Sequence, residues 1–161
     1  MSDNEKNMVL SSMFFKTGSC VFMLMGLGHF LGTVVDVFTP FLFTPVDGRV
    51  KDAMVKGTIL ITDRTSLWDA WLGFNLSHGL GVFLFGFIFL MLARKDYGLI
   101  TGGRFILPLC VFTVSAYLAL SVMFWFYLPA LGCAVVLICY VVSFALARKG
   151  RLCGPNGLVS L

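Results

Sequence analysis

The chain holds two histidines, His29 and His78, and each stands deep inside a long apolar run. An ionisable side chain within lipid is costly and therefore marks a site by default. Their flanks repeat: Gly28-His29-Phe30-Leu31-Gly32 and Ser77-His78-Gly79-Leu80-Gly81 share the order small-His-x-Leu-Gly. Each motif sets a small-x-x-x-small pair beside its histidine, Gly28 with Gly32 and Ser77 with Gly81, the spacing that lets membrane helices approach closely. Contact between antiparallel helices through these motifs brings the two imidazoles together. Helical periodicity adds Thr33 and Asp36 to the His29 face and Trp71, Phe74 and Asn75 to the His78 face.

Three chemistries suit that layer. The imidazoles can fasten two helices by hydrogen bonds to each other, to Asn75 or to Thr33. They can meet the polar head of a quinone, lipid or other amphiphile, with Trp71 and Phe74 as apolar walls. His29 and His78 can also ligate a metal or a b-type haem, neutral imidazole being the commonest metal ligand. Two histidines supply only two ligands, and close small-residue packing leaves little room for a porphyrin. No Ser-His-Asp order, phosphate loop, paired carboxylate in lipid or basic nucleic-acid surface is present, so no catalytic residue is assigned.

The elements that position these residues are membrane spans. Of 161 residues, 58% are hydrophobic and 12% charged, about half the charge of an ordinary soluble domain. A soluble protein is excluded. A helix crossing the hydrocarbon layer needs about 20 mostly apolar residues, and four stretches qualify, at about 14–38, 67–92, 105–126 and 129–147. These predict a single all-α domain, an integral membrane four-helix bundle. Both histidines then lie roughly 12 to 14 Å below one membrane face, from the helical rise of about 1.5 Å per residue.

Charge gives an orientation. The N-terminus, the link around Arg94 and the C-terminal tail together hold eight basic and three acidic residues, whereas the loop at about 39–66 and its flanks hold four basic and five acidic. The excess of lysine and arginine predicts both termini in the cytoplasm and a multi-pass location in a bacterial inner membrane, with anionic lipid attracted to that side. Arg148-Lys149-Gly150-Arg151 reads as the flank of the last span, with Cys153 a candidate for palmitoylation. The five cysteines lack any C-x-x-C spacing and suggest neither disulfides nor zinc.

The connections differ. Trp125 to Pro129 is an aromatic turn joining spans three and four as a hairpin. The 39–66 loop is long enough to need structure of its own; Val46, Val50 and Met54, four apart, predict a short amphipathic helix on the outer face. Ser66 with Asp69 forms a capping-box start for span two. Ser115 and Ala119 suggest a further close seam in span three.

Gly26-x-Gly28-His29-x-Leu31-Gly32, Val50-x-x-Ala53-Met54, and Trp68-Asp69-x-Trp71-x-Gly73-Phe74-Asn75-x-Ser77-His78-Gly79-Leu80-Gly81 resemble a family of small bacterial four-helix membrane proteins first catalogued in Leptospira. The likeness covers roughly the first 90 residues. It implies the same four-span layout, with Ala53 and Met54 packed on the bundle, and supplies no activity. The leading expectation is a non-enzymatic accessory or structural protein whose partners are the bilayer and other membrane subunits or a second copy of itself.

Overall fold

The structure, a computed structural model, describes residues 1–152, the side chains of Arg151 and Leu152 excepted, so Cys153 lies outside the described residues. In chain order the elements are α1 (Asp3–Phe38), α2 (Gly48–Lys56), β1 (Thr58–Ile59), β2 (Thr62–Ser66), α3 (Leu67–Lys95), α4 (Tyr97–Gly102), α5 (Ile106–Met123) and α6 (Tyr127–Leu152). Four of them, α1, α3, α5 and α6, are long and apolar enough to cross a membrane. The chain is therefore mostly helical, with a short antiparallel hairpin that the all-α expectation did not include.

Boundaries depart from expectation for identifiable reasons. Helix α1 begins eleven residues before the expected position 14, because Ser2 and Glu5 form a capping box: the Ser2 amide donates to Glu5 Oε2 (2.8 Å) and the Glu5 amide to Ser2 Oγ (3.3 Å). Helix α6 starts at Tyr127 rather than at 129, with Pro129 in its first turn, where a missing N–H costs nothing. Helix α5 stops at Met123, three residues short of the expected 126. It ends in a Schellman motif: the Phe126 amide donates to Ser121 O (2.8 Å) and the Trp125 amide to Val122 O (3.2 Å). Trp125 occupies the left-handed position at φ 60°, where glycine is usual.

The described residues form two compact units, one of 1–23 with the chain from Phe85 onward, the other of Leu24–Leu84. In the first unit, core positions recur at alternating steps of three and four. On α6 they are Cys133, Val136, Tyr140, Ser143 and Ala147; on α1, Ser11, Phe15, Gly18 and Phe22. Such spacing presents one continuous seam per helix. Phe15 stacks on Tyr140 (5.0 Å between centroids) and meets Phe89 edge-on (6.4 Å). Phe22 meets Phe85 (5.6 Å) and Tyr117 (5.7 Å) edge-on. On α5 the buried stripe is Leu107, Cys110, Val114 and Ser121; Ala119 is exposed, so the expected Ser115–Ala119 seam is not the contact line.

Among the described residues, every buried side-chain nitrogen and oxygen of this core has a hydrogen-bond partner, and Ser11, Ser19, Tyr140 and Ser143 bring neutral hydroxyls. Ser11 Oγ donates to the Ser143 carbonyl (2.7 Å), which spends its only proton, so it accepts from the Tyr97 hydroxyl (2.6 Å). Tyr97 in turn accepts from Ser143 Oγ (2.8 Å). Three hydroxyls thus form one directed chain joining α1, α4 and α6. Ser19 and Tyr140 share a further bond (3.0 Å).

The second unit contains the C-terminal part of α1, the N-terminal part of α3 and the structured loop. Asp47 caps α2 by accepting from the Arg49 amide (2.9 Å), and Lys51 Nζ lies 4.9 Å from the centre of the buried Trp68 ring. Val50 belongs to α2 as its spacing predicts, while Val46 precedes the helix and is exposed. Met54 is half-buried and Ala53 exposed, so only one of the pair is covered. The Ser66–Asp69 capping box opens α3 as expected: Ser66 Oγ donates to Asp69 Oδ2 (2.6 Å) and the Asp69 amide to Ser66 Oγ (3.0 Å).

Candidate functional site

The histidine layer lies wholly within the second unit, and glycine sets its depth. A methyl group on Gly26 would run into the backbone nitrogen of Phe83, and one on Gly79 would stand 2.7 Å from the Phe30 nitrogen and 3.1 Å from His29 Cδ2. Helices α1 and α3 therefore touch through backbone here. The expected seam of Gly28 with Gly32 and Ser77 with Gly81 is displaced. Gly28 and Gly81 face open space, Gly32 is approached by Leu42 of the loop, and the exposed Ser77 bonds back to Phe74 O (3.0 Å). The pattern named the right helices and the wrong face, because small residues occur on several faces of both.

Close backbone contact one residue from each histidine brings the imidazoles together, with ring centroids 5.1 Å apart at an interplanar angle of 69°. Asn75, buried and bonded to both Trp71 and His29, orients the imidazole. Its Nδ2 donates to Trp71 O (2.8 Å), which leaves Oδ1 facing His29 Nε2 at 3.1 Å. Only a proton on Nε2 satisfies that pair, so His29 is the Nε2–H tautomer. The half-buried His78 ring stacks against Phe74 at 5.9 Å and 18°, and Phe74 itself is 64% exposed. Thr33, fully buried, spends its hydroxyl on the His29 carbonyl (2.9 Å) and does not join the layer.

The loop completes the site. Phe43 lays its ring on His29 (4.6 Å) and accepts from Trp71 Nε1 at its carbonyl (3.2 Å). It is held there by Asp36. The Asp36 carboxylate accepts four bonds: from the amides of Phe41 (2.8 Å), Leu42 (3.1 Å) and Phe43 (2.8 Å), and from the Thr44 hydroxyl (2.6 Å). Contacts run in a closed circuit from Trp71 to Phe43, His29, Asn75 and back to Trp71. Leu42 and Thr44 carry no motif of their own; the signal for them is Asp36 four residues before Pro40, a short carboxylate able to accept from the backbone of the chain that leaves its helix.

No family model, curated protein or solved structure matches the chain. Among the described residues, no three His, Cys, Asp or Glu side chains converge as a metal set. A porphyrin between the two rings would require α1 and α3 to part at Gly26 and Gly79, and His29 Nε2 to leave Asn75. The donor pair as folded does not fit haem.

Proposed function

We propose that this protein is a non-enzymatic accessory or structural membrane subunit, a four-helix bundle in which His29, Asn75 and His78 clamp two spans and fasten the covering loop. The carrying observation is the closed circuit of contacts through Trp71, Phe43, His29 and Asn75. Each polar atom named in it is engaged by a neighbour of the same unit, which is the pattern of a fastener. Exposed apolar surface on α5 and α6, such as Phe112, Leu131 and Ile138, suits lipid, partner subunits or a second copy. Charge asymmetry supports both termini in the cytoplasm and a bacterial inner membrane.

A second reading, an amphiphile headgroup at the same layer, is favoured by one observation: Phe74 is exposed while stacked on His78, leaving that edge of the layer open. The deciding experiment is to purify the wild type with His29→Ala, Asn75→Ala and His78→Ala variants, and to compare melting temperature, absorption spectrum and extractable lipids and quinones. The fastener reading expects lowered stability in His29→Ala and Asn75→Ala with unchanged spectrum and extract. Loss of a co-purifying quinone or lipid in any variant transfers the site to the amphiphile reading; loss of a Soret band transfers it to haem.

A further inference from the structure

At the end of the first unit where α1 begins and α6 finishes, the charge is unbalanced and the carboxylates are already spent. The described cations there are Lys6, Lys16, Arg94, Lys95, Arg104, Arg148 and Lys149, seven against Asp3, Glu5 and Asp96. Asp3 pairs with Lys6 (3.2 Å), Glu5 caps α1 from its first turn, and Asp96 accepts from the Gly98 amide (2.7 Å) as the cap of α4. Arg94, Lys95, Arg104, Arg148 and Lys149 are exposed, and among the described residues none of them pairs with a carboxylate.

The corner from Arg94 to Phe105 holds three of these cations, Arg94, Lys95 and Arg104, and also exposes large apolar side chains, Leu99 at 50% and Phe105 at 81%. It is anchored by neutral bonds: Tyr97 holds Ser11 and Ser143, and Ile100 is fully buried. Arg94 and Lys95 end α3, where the helix dipole already favours cations. Because the corner connects two helices long enough to cross a membrane, α3 and α5, it must lie at a membrane surface when both span. Cations beside outward apolar groups at that level match a phosphate with acyl chains beneath it.

We propose that Arg94, Lys95 and Arg104, flanked by Leu99 and Phe105, bind the headgroups of anionic phospholipids, with Arg148 and Lys149 extending the same collar. The proposal concerns a different region from the histidine layer and is independent of the function argued there. Each cation near a membrane surface contributes about a fivefold preference for an anionic headgroup.

The test uses the full chain reconstituted in phosphatidylcholine vesicles with spin-labelled phosphatidylglycerol or spin-labelled phosphatidylcholine, read by electron paramagnetic resonance. The wild type should immobilise the glycerol lipid in excess over the choline lipid, and added NaCl should shrink that excess. The triple change Arg94→Gln, Lys95→Gln, Arg104→Gln should remove most of it, while Arg49→Gln with Lys56→Gln in the second unit should leave it intact. The salt arm uses wild type alone, so it stands even if the triple variant inserts poorly. Equal immobilisation of both lipids in the wild type, an excess indifferent to salt, or a folded triple variant that keeps the excess would each overturn the assignment. Polyglutamate binding at this corner without any glycerol-lipid excess would overturn it in favour of an acidic protein partner.

Discussion

The two units bury polar atoms by opposite means. Among the described residues the first uses neutral hydroxyls, the directed chain of Ser11, Tyr97 and Ser143 and the bonded pair of Ser19 and Tyr140. The second uses ionisable groups, His29, His78 and the buried Asp36, the last with four donors on one carboxylate. Neutral clusters tolerate changes in proton supply and serve as permanent joints. Ionisable ones hold loops and helices in an arrangement that chemistry can address, which is why the candidate site belongs to the second unit. Proximity makes the second arrangement workable: Asp36 takes its donors from the chain just after its own helix, while the two histidines depend on helix backbones in contact.

That dependence gives the largest expected effect. Gly26→Ala and Gly79→Ala should each cost about 3 kcal/mol, the upper range for overpacking, because the obstructing atoms are backbone of Phe83 and Phe30 rather than flexible side-chain ends. Gly86→Ala, whose methyl would meet the Met23 backbone in the first unit, should cost a similar amount, whereas Gly28→Ala, facing open space, should be neutral or slightly stabilising. Thermal unfolding followed by helicity in detergent measures all four. A Gly28→Ala variant as damaged as Gly79→Ala would break the assigned seam and, with it, the account of why the histidines meet.

Those glycines also show what was legible in advance. Apolar length gave all four long helices, because lipid demands it of any spanning segment, and shared depth gave the pairing of His29 with His78. The rotational register was not legible: Gly26 and Gly79 differ from Gly28 and Gly81 only in which face a neighbour presents, a tertiary fact. Helix α4 and the Thr58–Ser66 hairpin were missed for another reason. Both are short, and the hairpin turns at Leu60 and Ile61 rather than at glycine or asparagine, so no local turn chemistry announces it. Periodicity puts Asp36 on the His29 face, yet its four donors lie five to eight residues onward in a segment without periodicity.

Asp36→Asn sharpens the contrast between charged and neutral joints. Replacing the carboxylate by an amide removes charge assistance from its bonds and turns one acceptor into a donor facing amide donors; about 2 kcal/mol should be lost. Hydrogen exchange should quicken at the amides of Phe41, Leu42 and Phe43 and leave α5 and α6 unchanged. In the first unit, Tyr97→Phe removes the middle of the hydroxyl chain and should cost about 1 kcal/mol, in line with polar contacts between membrane helices. Equal losses from the two variants would show that charge adds nothing to the second unit's joint.

The first unit carries its own cost in backbone rather than charge. Trp125 holds a left-handed conformation that disfavours a side chain by about 1 kcal/mol or slightly more. Trp125→Gly should therefore stabilise the α5–α6 turn by about 1 kcal/mol in detergent, where the 74% exposed indole contributes little packing. In bilayers the gain should shrink, since tryptophan favours the interface. A destabilised glycine variant in detergent would mean that the edge-on contact with Tyr127 (6.1 Å) outweighs the strain.

The smallest effect separates two carboxylates of the second unit, buried Asp36 and exposed Asp47. Bonds from the Arg49 side chain, and then from its amide, hold the Asp47 carboxyl below the usual carboxylate range. A group with a depressed folded pKa stabilises above its unfolded value, and the contribution disappears as pH falls through the folded one. Amide exchange at Arg49 and Val50 should accordingly be slowest, relative to unstructured peptide, at neutral pH, and protection should decline as the solution is acidified below the ordinary aspartate value. Asp47→Ala should remove that acid-dependent decline while lowering protection throughout. High salt should weaken the Arg49 pairing in the wild type, because both side chains face solvent. A profile for α2 that is flat in pH and unchanged by salt would show that the exposed pair is geometry without energy, leaving Asp36 as the carboxylate that organises the loop.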